Sequence, residues 1–300
     1  MKAPTDTVYE MFGVPIACLD RREAVSVADR LVSAGGDRTV LFGVVNAAKL
    51  VRMRGDPALF RAVLASDIIL ADGMSVVWAS RLLGKAIPER VTGIDLMQAL
   101  LEQASSRGWR VYFLGATEYA LSKALDAVRR DYPGAVICGA HHGYFSEKDE
   151  KAIVADIRDS RPDLLFVGMG SPKKERFLAK YADDCGAIVC HGVGGSLDVM
   201  AGLVRRAPRR WQAMGLEWLW RVMQEPRRLW RRYLVTNTLF SLMVAEALLA
   251  RLLPANLRGV DDVRWGVEPD SHRRASSGDG TVAGLEDRQQ SRSFRSSGDR

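Results

Sequence analysis

Metal-binding and redox chemistry have little to work with in these 300 residues. The four cysteines, Cys18, Cys138, Cys185 and Cys190, show no CxxC spacing, and the four histidines do not cluster with them. Neither a zinc site nor a disulfide framework is indicated, which fits a reducing cytoplasm. No paired-aspartate metal motif is present, so metal-independent chemistry is expected. The opening residues, MKAPTDTVYEMFG, hold no apolar stretch of signal-peptide length, and we expect the chain to be kept inside the cell. Neither GxxxxGK[ST] nor GxGxxG occurs, which weakens generic ATP or NAD use. Beyond residue 205 the longest run free of charged residues, Tyr233 to Ala245, is 13 residues. A spanning helix needs about 20, so none is expected.

What is present is unevenly spread. Net charge is +7, and residues 205–232 account for all of it, with nine arginines, two glutamates and no lysine. Four of the seven tryptophans (Trp211, Trp218, Trp220, Trp230) lie in the same stretch. The rest of the chain is neutral in sum, which places a boundary near residue 205. We therefore expect a core over 1–205, a basic and aromatic helical appendage over 206–258, and a disordered tail over 259–300, where the apolar pattern disappears.

Between residues 39 and 191, short β-branched runs alternate with stretches of helical period, the rhythm of a parallel sheet with crossover helices. Strands are predicted at 39–45, 66–71, 110–114, 135–139, 163–168 and 187–191. Helices are predicted at 57–65, 74–83, 94–107, 118–131, 147–160 and 173–184. The fold class is α/β, Rossmann-like, followed by helices near 209–225 and 227–253 with Pro226 between them. In such sheets the ligand sits beyond the carboxyl ends of the strands, where most of the glycine-bearing turns of this chain fall.

Four of these turns carry candidate chemistry. Asp72-Gly73 ends an apolar strand, where a carboxylate serves either as a general base or as the N-cap of helix 74–83, and spacing does not choose between them. Arg90, in ERVTGIDL, suits a diphosphate, although spacing alone favours an ion pair with Glu89 or Asp95. MGSPKKERF puts Gly170 before a helix whose first turn holds Lys173 and Lys174, charges that oppose the helix dipole and that a bound phosphate would compensate. HGVGGSLDV brings Gly194, Gly195 and Asp198 to a loop suited to a nucleotide, while His191 reads as a packed strand-end residue.

The arginine and tryptophan segment fits two partners, an anionic lipid surface or nucleic acid. The apolar run 233–253 decides for lipid, because nucleic acid gives no reason to carry it.

In order, VVNAAK, LADGMSVVWA, ERVTGIDL, FLGAT, HHGYF, VGMGSPKKE, GVGGSLDVMAG, RAP and GLEWLWRVMQEPRRLWRRY resemble segments of the WecG/TagA/CpsF family, glycosyltransferase family 26, over residues 8–235. The resemblance implies an inverting, metal-independent transferase without a cofactor. Its donor would be a nucleotide (UDP) diphosphate sugar carrying N-acetylmannosamine, a hexose or a uronic acid. Its acceptor would be a polyprenyl-diphosphate-linked saccharide, met at the cytoplasmic side of the inner membrane by a peripheral protein. It also implies Asp72 as base, Asn46 near the donor, and Arg90, Arg205, Arg206, Arg221 and Arg228 at the diphosphates. Gly73, Gly170, Lys173, Lys174 and Glu175 join the substrate site, with Gly194, Gly195 and Asp198 by the nucleotide. Two positions depart from the family pattern. Val44 replaces a frequent threonine, and Lys174 replaces a glutamine, adding positive charge that would suit a donor carboxylate. The oligomeric state stays open. The rival reading is a non-catalytic nucleotide- or nucleic-acid-binding protein.

Overall fold

The computed structural model describes residues 8–36 and 38–252, so the tail expected at 259–300 lies outside the described residues. A small antiparallel hairpin comes first, β1 (Val8–Met11) and β2 (Val14–Ala17). Helix α1 (Arg21–Ala34) follows, opened by a capping box in which Asp20 and Glu23 satisfy each other's backbone amides and closed by Gly35 in the left-handed conformation.

The main sheet then builds from β3 (Val40–Val45), β4 (Ile68–Ala71), β5 (Arg110–Gly115), β6 (Val136–His141), β7 (Leu164–Gly168) and β8 (Val189–Gly192). Its order is β4-β3-β8-β7-β5-β6, and every pairing is parallel. Each predicted strand is present within two residues at either end. Between β3 and β4 come α2 (Ala47–Gly55) and α3 (Pro57–Leu64), and between β4 and β5 come α4 (Met74–Leu82) and α5 (Gly93–Arg107). The later crossovers are α6 (Glu118–Asp131), α7 (Glu150–Asp159) and α8 (Lys173–Tyr181).

Alternation along the strands feeds two cores. On β3, Phe42 joins the cluster under α1, α5 and α6, whereas its neighbour Leu41 joins the one under α7 and α8. The sheet is tight where β5 meets β7, because a Cβ at Gly115 would come within 2.4 Å of the Gly168 backbone. Only glycine allows that approach.

After β8 the chain forms α9 (Ser196–Met200), α10 (Arg209–Ala213), α11 (Glu217–Gln224) and α12 (Pro226–Leu252); Pro226 opens the last helix, and the helix expected near 209–225 is two, parted at Gly215 in the left-handed conformation. Phe240 and Val244 of α12 are buried in a third cluster with Val45, Leu50, Met53 and Met11. The described part of the C-terminal segment is therefore seated on the core along α2. Its opposite face leaves Leu234, Val235, Leu239, Leu242 and Leu249 exposed. The stretch Leu229–Ala250 is long and apolar enough to cross a membrane by length and composition, longer than the charge-free run suggested. One face of it is already taken by the domain.

Candidate functional site

The carboxyl ends of β3, β4, β7 and β8 open into one cavity of about 620 Å³, closed on its far side by residues of α11 and α12. Asp72, the first residue beyond β4, lies on its wall. Its N–H continues the sheet by donating to Val45 O at 2.8 Å. The N-cap position of α4 is taken by Gly73, which makes no side-chain cap bond, so Asp72 is not spent on capping. Instead its carboxylate accepts from Asn46 Nδ2 at 3.1 Å and from the Gly93 N–H, at the start of α5, at 3.3 Å. Burial pushes its pKa above the usual carboxylate range and Glu217 adds to the rise, against Asn46, Lys49 and Arg221, which pull it down.

Asn46 has two tasks. Its Oδ1 accepts from the Lys49 N–H and caps α2, which turns its Nδ2 toward Asp72. Behind Gly93, His191 is fully buried, with Nδ1 3.1 Å from Phe42 O and Nε2 3.2 Å from Gly93 O. Burial lowers its pKa to about 4, so it is neutral and packed, as the sequence indicated.

The two lysines of SPKK part company. Lys173 turns away from the cavity and donates to the Gly143 and Phe145 carbonyls at 3.0 and 3.2 Å, with its ammonium over the Phe145 ring. Those carbonyls, not a phosphate, offset its charge at the start of α8, and the structure does not bring it into the substrate site. Lys174 does line the cavity, yet its ammonium meets Glu175 Oε1, the same oxygen that Lys49 Nζ approaches at 2.8 Å. This triad is nearly buried. Burial and the neighbouring Lys49 lower the Lys174 pKa to about 8. For Glu175 burial pulls upward, but the two lysines outweigh it and hold the carboxyl at about 2. Lys174 is thus not the unneutralised charge that its sequence position suggested.

Arg90 lines the cavity, and its partner is neither Glu89 nor Asp95 but Glu217 of α11, at 3.1 Å. Arg206 pairs with Asp95 at 2.6 Å and lies 3.7 Å from Glu217. Arg205 stays outside the cavity with an exposed side chain, while its carbonyl accepts from Trp220 Nε1 and Gln224 Nε2. Arg221 lines the cavity and acts on Asp72. Arg228 lies in the first turn of α12, and its side chain is outside the described residues. Gly73, Gly170, Gly194, Gly195 and Asp198 all line the wall, and burial raises the Asp198 pKa.

Sequence reasoning missed Lys49, Arg52, Glu217 and Tyr233, which also line the cavity. For Lys49 a signal existed, since it stands three residues after Asn46 in VVNAAK and shares its turn of α2.

Residues 9–253 match the sequence model of the "Glycosyl transferase WecG/TagA/CpsF family". Over 176 residues the chain is 41% identical to an N-acetylglucosaminyldiphosphoundecaprenol N-acetyl-beta-D-mannosaminyltransferase of Bacillus spizizenii, covering 58% of this chain and 67% of that protein.

Proposed function

The chain belongs to the WecG/TagA/CpsF family and is a glycosyltransferase, and from that premise we propose that it moves an N-acetylhexosamine from a UDP-type donor to a polyprenyl-diphosphate-linked sugar. The observation that carries the reading is Asp72, a carboxylate of raised pKa held by two donors on the wall of a cation-lined cavity. A base so placed takes the proton of an acceptor hydroxyl while that oxygen bonds to the anomeric carbon. The bond from that carbon to the donor diphosphate breaks in the same displacement, which inverts the configuration. Negative charge then grows on the departing diphosphate, where Arg90 and Arg221 stabilise it. Asp198 and the loop at Gly194 and Gly195 receive the nucleotide, and Asn46, Gly73 and Gly170 border the donor.

The sugar is argued from two sides. The Bacillus relative is named for N-acetylmannosamine. Lys174 is already engaged by Glu175, which weakens the case for a donor carboxylate. No metal or organic cofactor enters this mechanism, because the arginines supply the countercharge. The exposed apolar face of α12 and the arginines beside it suit peripheral binding at the cytoplasmic membrane surface, where a lipid-linked acceptor presents its diphosphate.

The test is a screen of UDP-sugars against a short-chain polyprenyl-diphosphate N-acetylglucosamine, read by mass with and without EDTA. Addition of one N-acetylhexosamine that survives chelation is the expected result. Addition of a hexose or uronic acid would refute the sugar assignment, and restoration by magnesium after EDTA would refute the metal-free mechanism.

A further inference from the structure

The C-terminal helices reach the cavity with a carboxylate as well as with arginines. Glu217, the first residue of α11, lines the cavity and its side chain is 15% exposed. Its Oε2 accepts from Arg90 Nη1 at 3.1 Å, and its Oε1 lies 3.7 Å from Arg206 Nε. Arg206 meets Asp95 at 2.6 Å, and Asp95 accepts from the Thr92 hydroxyl at 2.6 Å. Thr92 caps α5, whose first residue, Gly93, donates to Asp72. A continuous set of contacts therefore runs from α11 to the helix that holds the base. Arg90 itself is tied to the sheet, because the next residue, Val91, donates its N–H to Ala71 O at 2.8 Å.

Resting on the transferase reading above, we propose that Glu217 is a positioning residue for sugar transfer: its carboxylate holds Arg90 against α11, so that Arg90 meets the leaving diphosphate only while the C-terminal helices are docked. Two guanidinium groups brought this close repel each other, and one carboxylate between them removes the repulsion and fixes both. A guanidinium has five N–H donors, so the bond to Glu217 still leaves Arg90 donors for a phosphate oxygen.

Glu217 also has an electrostatic effect that a purely structural residue would lack. The charged groups acting on Asp72 are Lys49 from α2 with Arg221 and Glu217 from α11, and its hydrogen-bond donors are Asn46 and Gly93. Of the three charges only Glu217 opposes ionisation. Removing it makes Asp72 a weaker base that loses its proton at lower pH.

The experiment compares full-length wild type, Glu217→Gln, Arg90→Gln and the double variant, measuring transfer by mass across pH and amide exchange over residues 217–224. Glutamine keeps the shape of the side chain and removes its charge. The expected result for Glu217→Gln is a fall in kcat of roughly ten- to a hundredfold, the scale of a misplaced catalytic group. Its acid limb moves to lower pH, and the double variant is no slower than Arg90→Gln. An unmoved limb, or losses that multiply in the double variant, would overturn the proposal. Exchange decides independently of turnover: Arg90→Gln speeds it in α11, and unchanged protection there also overturns the proposal. A wild type that transfers no sugar would instead refute the transferase reading of the acceptor.

Discussion

The cavity has two walls that treat positive charge in opposite ways. On the sheet side the lysines are paired within the protein: Lys49 and Lys174 share the one carboxylate of Glu175, with little exposure to solvent and one positive charge left over. On the helical side Arg221, Arg227 and Arg232 are exposed, and among the described residues none of the three has an ion-pair partner. Paired buried charge costs solvation and fixes a geometry, whereas unpaired exposed charge costs little and is ready for an anion from outside. The sheet side is thus a rigid holder for the base, and the helical side is a surface completed by its ligands. Helix α12 repeats the contrast across its own width, with Phe240 and Val244 in the core and Leu239 and Leu242 in solvent.

The strongest way to break this comparison is at the base. Asp72→Asn should cut turnover by about 10²- to 10⁴-fold, the usual range for a general base, with the fold intact by circular dichroism. Turnover within a few-fold of wild type would remove Asp72 from the mechanism. Next is the paired wall. Glu175→Gln leaves two buried ammonium groups without a counter-ion and should cost about 3 kcal/mol in denaturant unfolding at neutral pH. In the wild type the folded pKa of Glu175 is about 2 against an ordinary 4.5, so its stabilisation is present above pH 4.5 and is lost as pH falls toward 2. The variant should lack that acid-sensitive step, and an unchanged pH profile of melting would count against the triad.

The two faces of α12 give the third comparison. Phe240→Ala should destabilise by about 3 kcal/mol, whereas Leu239→Ser should change stability by less than about 0.5 kcal/mol. Only the second change is expected to act through flotation with anionic vesicles, and equal effects on unfolding would show that the helix is not seated as described. The smallest effects belong to single arginines. Arg227→Ala and Arg232→Ala should each weaken vesicle binding by about 1 kcal/mol at low salt. Arg232 lines the cavity and Arg227 does not, so only Arg232→Ala should also slow transfer to a water-soluble acceptor analogue.

Much of the sheet was legible because its strands are short β-branched runs bounded by glycine turns, and the expected positions at 39–45 and 163–168 became β3 and β7. The hairpin at Val8–Met11 and Val14–Ala17 was not seen, since four-residue strands show too little alternation. Helix α2 was missed because nine residues give a helical period little length in which to show, although Asn46 caps it. Asp72 was left between two roles by spacing, and the glycine at the cap position removed one of them, the capping role. The pairing of Arg90 with Glu217 spans 127 positions of sequence, beyond the reach of any local pattern. Lys173 and Lys174 could not be told apart in one dimension, because their divergence depends on which face of α8 meets the sheet.

The amide of Asn46 is shared between a helix and a base: Oδ1 closes the first turn of α2 and Nδ2 holds Asp72. Replacing that one nitrogen by oxygen, as the substitution Asn46→Asp does, would leave a side chain that caps the helix equally well. The fold would not register the change. The base would, because two carboxyl groups would then face each other about 3 Å apart and could not both ionise. They would share one proton and titrate as a coupled pair, and the proton occupying that shared position is the one that the acceptor hydroxyl must give up. A molecule changed in this way would melt like the wild type and fail to turn over, so activity can be lost through a single side-chain atom with no unfolding at all.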